Sequence, residues 1–418
     1  MAILFILMAV PILFASGAAV DYGRRNAAKV QLDASLDAAV LALMAEKTNT
    51  ISAASIANAE TQFRTEASKL SGVTITSFVM VPVPVNATGQ LGVTATYGAT
   101  VKTTLSSMMQ VAAMPIAGRS GGERTISQYT DFYLLLDNSP SMGLGATQAD
   151  IDNLTKLTAK QTSDRRKNCA FACHETKVVN GKTVDDTDDN YYLAKKNNIK
   201  LRIDNLREAT QSLVDTAVQK TKFPNQYRMA IYTFSDIFTE VAPLTTTLST
   251  VRTSAGKIDL AYSYPDDRDT QTSYIRALPQ IAGKIPNSGS GVTADAPIRF
   301  LFFVTDGVQD AVTDGKVMGP YDKKTWWTDR FLGAIDPALC TSMKNRNIRI
   351  GVIYTTYLPL PNNDFYKEYV APVAANIPEN LRQCASDGLF FPVSTGGDIN
   401  TAMQKLFEAA LASTRITR

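Results

Sequence analysis

A single histidine, His174, is all the imidazole this chain has. General acid–base catalysis would therefore fall to carboxylates or lysines, and no phosphate-cradling glycine loop or His-Glu-x-x-His pattern is present to carry it. Charge of one sign is equally scarce. The 42 basic and 39 acidic residues leave a net charge of +3 with no aromatic-and-basic stripe, so nucleic acid is not an expected partner. Asp266, Asp267 and Asp269 could be read as a catalytic acid cluster, but a solvated loop near a cation is the simpler reading. The expectation is a binding or structural protein and not an enzyme.

What is present begins with an uncharged apolar run. Ala2 to Val20 would reach about 28 Å as a helix, close to the thickness of a bilayer core, so residues 1–20 read as a transmembrane helix. A cleaved secretory signal fits less well, because the run is long for such a segment and no basic stretch precedes it. Beyond it, Leu32, Leu36, Val40 and Leu43 recur at helical spacing, which predicts an amphipathic helix leaving the membrane. Arg24, Arg25 and Lys29 would place that side in the cytoplasm by the positive-inside rule. The cysteines and the resemblances given below argue for the opposite side.

Val93, Ala95, Tyr97, Ala99 and Val101 alternate with polar residues or glycine, and Val73 to Val81 is rich in β-branched residues. A small antiparallel sheet packed on the amphipathic helix is expected over residues 21–117. The sequon Asn86-Ala87-Thr88 reads as turn chemistry, and Gly118 to Gly122 as part of a flexible linker over 118–128. From Tyr129 onward the pattern changes to near-continuous apolar strands at 132–136, 228–234, 298–304, 348–354 and 389–393, separated by helical patterns such as Ile203, Leu206, Leu213 and Ala217. That alternation predicts an α/β domain with a mostly parallel sheet covered on both faces, its site at the carboxyl ends of the strands.

The chemistry gathers at those ends. Asp137-Asn138-Ser139-Pro140-Ser141 ends one apolar strand, Thr305-Asp306-Gly307 ends another, and the polar loop from Asp269 to Ser273 enters a helix between them. Oxygen-bearing side chains converging on one point suit a hard divalent cation such as Mg²⁺, Mn²⁺ or Ca²⁺.

On these residues, 129–418 resembles a Rossmann-like von Willebrand factor type A domain with its metal-ion-dependent adhesion site. The resemblance implies metal positions at Asp137, Ser139, Ser141, Thr272 and Asp306, with Mg²⁺ leaving one position for a carboxylate of a protein partner. Asp269 and Gln271 stand where the family usually has glycines, so Thr270 rivals Thr272. The run Pro11 to Arg25, followed by an alanine-rich helix, resembles the TadE/TadG-type anchor of Flp (tight-adherence) pilus-assembly proteins. Together the two imply a single-pass inner-membrane protein with a periplasmic domain, its partners being other Tad components, pilins or pseudopilins.

The departure from the type A pattern is an insertion over residues 143–198, which contains Cys169-Ala170-Phe171-Ala172-Cys173-His174 and the run Asp185-Asp186-Thr187-Asp188-Asp189. Glu175 or one of those aspartates is a candidate to close the metal site in cis. In a periplasmic domain the simplest pairing of the four cysteines is Cys169 with Cys173 and Cys340 with Cys384, although three connectivities exist. Alternatives are a haem or zinc redox protein built on Cys169, Cys173 and His174, or a minor-pilin-like scaffold whose metal is only structural.

Overall fold

The computed structural model describes residues 2–46, 48–85, 89–163, 166–263, 272–312, 322–324, 330–356, 366–394 and 397–413, with side chains described for all of these except 2–8, 10 and 322–324. The sequon and residues 264–271, with Thr270 and the Asp266, Asp267 and Asp269 cluster, lie outside the described residues. The chain divides into two compact units, one up to Ser127 and one from Gln128 onward.

In the first unit, helix α1 (Ala2–Met44) carries the expected stripe. Leu32, Leu36, Val40 and Leu43 are buried with Ala28 and Ala39 against α2 (Ala53–Ser68) and a sheet of β1 (Val73–Val83), β2 (Gln90–Lys102) and β3 (Ala113–Thr125). The order is β1-β2-β3, all antiparallel. Phe63 of α2 fills the centre, its ring 5.2 Å from Phe78 and 5.4 Å from Tyr97. Burying each such side chain contributes roughly 1.5–3 kcal/mol.

The linker expected at 118–128 is instead mostly strand, because Gly118 pairs with Tyr97 and Gly122 with Val93 inside β3. Its glycines serve packing. A Cβ on Gly122 would stand 2.9 Å from Met44 Cγ and 3.0 Å from Val40 Cγ1, and one on Gly118 would strike Asp33 and Tyr97, so the missing side chains let α1 lie close to the sheet.

Among the described residues no helix is long and apolar enough to cross a membrane. Much of the apolar run, residues 1–8 and 10, falls among the side chains not described.

The second unit is built on β4 (Thr130–Asp137), followed by α3 (Gln148–Thr158), the hairpin β5 (His174–Val179) and β6 (Lys182–Asp185), α4 (Asn190–Lys196) and α5 (Arg202–Lys220). Next come β7 (Tyr227–Phe234), β8 (Phe238–Thr245), α6 (Leu248–Ala255), the short β9 (Tyr262–Ser263), α7 (Tyr274–Lys284) and β10 (Ile298–Thr305). The chain ends with β11 (Val308–Val312), β12 (Asp322–Lys324), β13 (Arg330–Ala334), α8 (Ala338–Lys344), β14 (Arg349–Thr355), α9 (Asn376–Cys384), β15 (Phe390–Val393) and α10 (Ile399–Ser413).

The main sheet has six strands in the order β15-β14-β10-β4-β7-β8. The pairs from β15 to β7 are parallel, and β8 returns antiparallel beside β7, so the sheet is mixed and not the wholly parallel Rossmann-like form. Phe132, Leu134 and Leu136 of β4 face α5 and α10, while Tyr133 and Leu135 face α7, α8 and α9. A strand covered on both sides reads as a continuous apolar run, and that is why it was visible in the sequence.

Cys340 of α8 and Cys384 of α9 form the expected disulfide, with Cα atoms 5.4 Å apart. No disulfide joins Cys169 and Cys173, contrary to the expected pair. Between them Phe171 bridges Leu144 and the Ala172 amide bonds Gly143 O (2.9 Å), drawing the segment out along the 143–144 backbone.

Candidate metal-type site at the strand ends

β4 and β10 are neighbours at the point where strand order reverses; β4 ends in the buried Asp137, and the buried Asp306 follows β10 directly. Asp137 is the last residue of β4. Its Oδ1 accepts from the Ser139 amide (2.9 Å) and hydroxyl (2.5 Å), a local turn that fixes the first serine beneath the carboxylate. Ser141 Oγ lies 3.0 Å from Ser139 Oγ, on the single 3-10 turn Pro140–Gly143.

Asp137 Oδ2 accepts from Thr305 Oγ1 (2.7 Å), which in turn lies 2.7 Å from the buried Tyr274 hydroxyl. Thr305 thus joins the two strand ends, a role not foreseen although Thr305-Asp306-Gly307 had been singled out. Gly307 follows at φ +91°, where a Cβ would strike Ile377 and stand 3.0 Å from Tyr354, so glycine is required for the turn into β11.

Asp306 Oδ1 accepts at 3.4 Å from the Val308 amide, but its Oδ2 is buried with no hydrogen-bond partner among the described residues. Burial pushes the Asp306 carboxyl up, opposed by the Ser141 hydroxyl and the Arg202 guanidinium. Burial, reinforced by Asp306, pushes Asp137 up to about 7. Two buried carboxylates that face each other without a cation disfavour each other's charge.

Thr272 is buried near the same edge, where its carbonyl accepts from the Asp310 amide (3.0 Å). Ser273, the next residue, carries a buried hydroxyl without a partner, at the residue preceding α7. The structure thus gathers Asp137, Ser139, Ser141 and Asp306, while Thr272 pairs through its backbone with Asp310 at the approach to α7. The donors are all oxygen, which suits a hard divalent cation, and an orphaned carboxylate oxygen is the feature such an ion would satisfy. Among the described residues no group of three or more His, Cys, Asp or Glu stands together, so hydroxyls would have to complete any coordination.

The insertion packs Leu154, Ala172, Tyr191 and Ala194 into the core on the α5 side of the sheet. Its acidic residues are engaged within it: Arg166 pairs with Glu175 and with Asp186 (2.6 Å), Lys177 with Asp186 (2.8 Å) and Asp188 (3.3 Å). Asp185 accepts from the Tyr192 hydroxyl (2.8 Å), and Asp189 caps α4 through the Tyr192 amide while also accepting from the Glu175 amide (both 2.7 Å). The carboxylates proposed to close the site in cis are therefore committed to stabilising the insertion. His174 lies between the rings of Tyr191 and Tyr262 at 4.0 and 4.2 Å, packed as an aromatic and not presented as a ligand.

No curated protein matches the chain in sequence. Solved structures that the chain resembles at low identity include the following three. The vWF domain of the type V pili tip protein Mfa5 from Porphyromonas gingivalis is 10% identical, with 70% of this chain and 99% of that one covered and a TM-score of 0.40. The PilB minor pilin from Streptococcus sanguinis is 10% identical, covering 82% and 78%, with a TM-score of 0.37. Proximal thread matrix protein 1 from the mussel byssus is 12% identical over 68% of this chain but only 46% of its own, with a TM-score of 0.34. At such scores these likenesses carry no inference about ligand or activity. Residues 1–45 match a family described as Flp pilus-assembly TadE/G-like.

Proposed function

We propose that the chain is a membrane-anchored, non-enzymatic component of pilus assembly or adhesion whose second unit captures a protein partner's carboxylate through a divalent cation. Asp137, Ser139, Ser141 and Asp306 would hold the ion, with Thr272 as the fifth position, and Mg²⁺, Mn²⁺ or Ca²⁺ would supply an electrophilic contact for the incoming carboxylate. The observation that carries this reading is the buried, unpartnered Asp306 Oδ2 at the edge where Asp137 and two serine hydroxyls converge. The TadE/G-like match over residues 1–45 supports the pilus setting, and the apolar run at 2–20 supports a single-pass anchor in a bacterial inner membrane with the second unit outside the cytoplasm.

One observation favours a second reading, a minor-pilin-like scaffold whose cation only stabilises. Asp137, Ser139 and Asp306 are all buried, and only Ser141 is partly open.

The test is calorimetric titration of the full chain in detergent with Mg²⁺, Mn²⁺ and Ca²⁺, with Asp137→Ala as the control. At a hundred-fold excess over Kd the ion should stabilise the fold by about 2.7 kcal/mol. Absence of binding by all three ions sinks both readings. Binding without any cation-dependent capture of pilus subunits leaves the scaffold.

A further inference from the structure

The loop joining β2 to β3 exposes four large apolar side chains within seven residues: Leu105 (45%), Met108 (75%), Met109 (53%) and Val111 (43%). Single exposed apolar residues are ordinary, but a group this dense marks a contact surface. The loop is also held firmly, which an idle tip would not require.

Asp21 of α1, itself buried, accepts three of its backbone amides, Thr104 (2.9 Å), Leu105 (3.0 Å) and Ser106 (2.7 Å). Arg24 donates to the Thr104 hydroxyl. One helical turn earlier, Gly17 lacks the side chain that would otherwise stand 2.7 Å from Leu105 Cβ, so loop and helix touch there. Ser106–Met109 forms one 3-10 turn, closed by Gln110 at φ +63° with the Val111 amide bonding Ser106 O (3.2 Å).

The place of attachment gives the occupant. Gly17 to Val20 is the last turn of the uncharged run, with Asp21 next to it, on a helix that also exposes Ile12, Leu13 and Val20. Just beyond it Tyr22 is exposed with the Arg25 guanidinium over its ring (5.6 Å), and Arg24 and Lys102 lie at the same level of the unit. Apolar side chains, then a tyrosine, then a cluster of cations is the order in which a bilayer offers acyl chains, the interface and anionic headgroups.

We propose that the loop Leu105–Val111 is a second membrane contact, laid into the headgroup–acyl boundary beside the N-terminal helix and clasped to it by Asp21. It rests on the reading of residues 2–20 as a membrane anchor. Its effect is to fix the first unit's tilt against the bilayer, which one helix passing through a membrane does not do alone.

The test uses the full chain carrying Trp326→Phe and Trp327→Phe, reconstituted in phosphatidylcholine–phosphatidylglycerol vesicles, with tryptophan placed by Met108→Trp, by Met109→Trp, or by Phe14→Trp as the anchor control. Lipids bearing a nitroxide near the headgroup end of the acyl chain should quench the tryptophan at 108 or 109 roughly two-fold, as fits a ring about 5–10 Å below the surface. A nitroxide near the methyl end should act mainly on the one at 14. Quenching at 14 with water-like, unquenched emission at both loop positions overturns the proposal, leaves the anchor intact and assigns the loop to a protein partner. No quenching at any position overturns both.

Discussion

Strand β4 buries an aspartate at each end, and the two ends are built in opposite ways. At its start, Asp131 accepts from the Arg228 guanidinium through both oxygens (2.6 and 2.8 Å), and Arg299 approaches at 3.2 Å. At its finish, Asp137 has only hydroxyls and one amide, and the nearest charge is another carboxylate, Asp306. At the first end the buried carboxylate has its counter-charges in place. At the second, the Arg202 guanidinium acts on Asp306 but no cationic side chain among the described residues pairs with Asp137, and the proposed ion would answer that difference.

The comparison breaks most sharply at the complete end. Asp131→Ala leaves the buried Arg299 and the partly buried Arg228 without their counter-ion, and should cost about 3–5 kcal/mol in urea unfolding of the full chain. A loss below about 1 kcal/mol would show that this end is no better satisfied than the other.

At the incomplete end the sign should reverse. Without divalent cations Asp306→Asn removes a like charge from beside Asp137, so stability should hold or rise by about 1 kcal/mol. In saturating Mg²⁺ the same variant should be the less stable one, since it lacks the carboxylate the ion would use. A metal-free loss as large as that of Asp131→Ala would mean that Asp306 is fixed by contacts within the fold, and the comparison would collapse.

How much of this was legible in the chain follows from what each residue touches. The strands around Leu134 and Phe302 were readable because burial on both faces writes a continuous apolar run. The edge strand β8 was not, since one side faces solvent and Phe238, Val241 and Leu244 are spaced too loosely to announce it. The glycines at 118–122 looked like a linker because composition records the absence of side chains but not the helix that approaches through the gap. Asp137, Ser139, Ser141 and Asp306 were visible from strand-end position. Thr305 was passed over because its hydroxyl points to the other strand's aspartate, a contact 168 residues distant in sequence. The Cys169–Cys173 disulfide expected from spacing is not formed.

Another buried aspartate, Asp21, sharpens the comparison on a smaller scale, because three backbone amides hold it at hydrogen-bond distance while its arginine, Arg24, stands off at 3.9 Å. The Ser106 and Thr104 amides do most to hold its carboxyl down at about 2, against an ordinary value of 3.8. A lowered folded-state value means that the stabilisation is present above the ordinary value and is lost as pH falls from about 4 towards 2. The expected effect is local: amide exchange at Thr104, Leu105 and Ser106, compared with that of neighbouring β2 amides, should accelerate across that window. Asp21→Asn should bring the faster exchange to neutral pH, since a neutral side chain with one carbonyl oxygen cannot serve three donors as a carboxylate does. Exchange at those amides that stays slow in the variant would mean the loop is held by Gly17 and its own 3-10 turn, and that an aspartate completed by amides carries less than one completed by arginines.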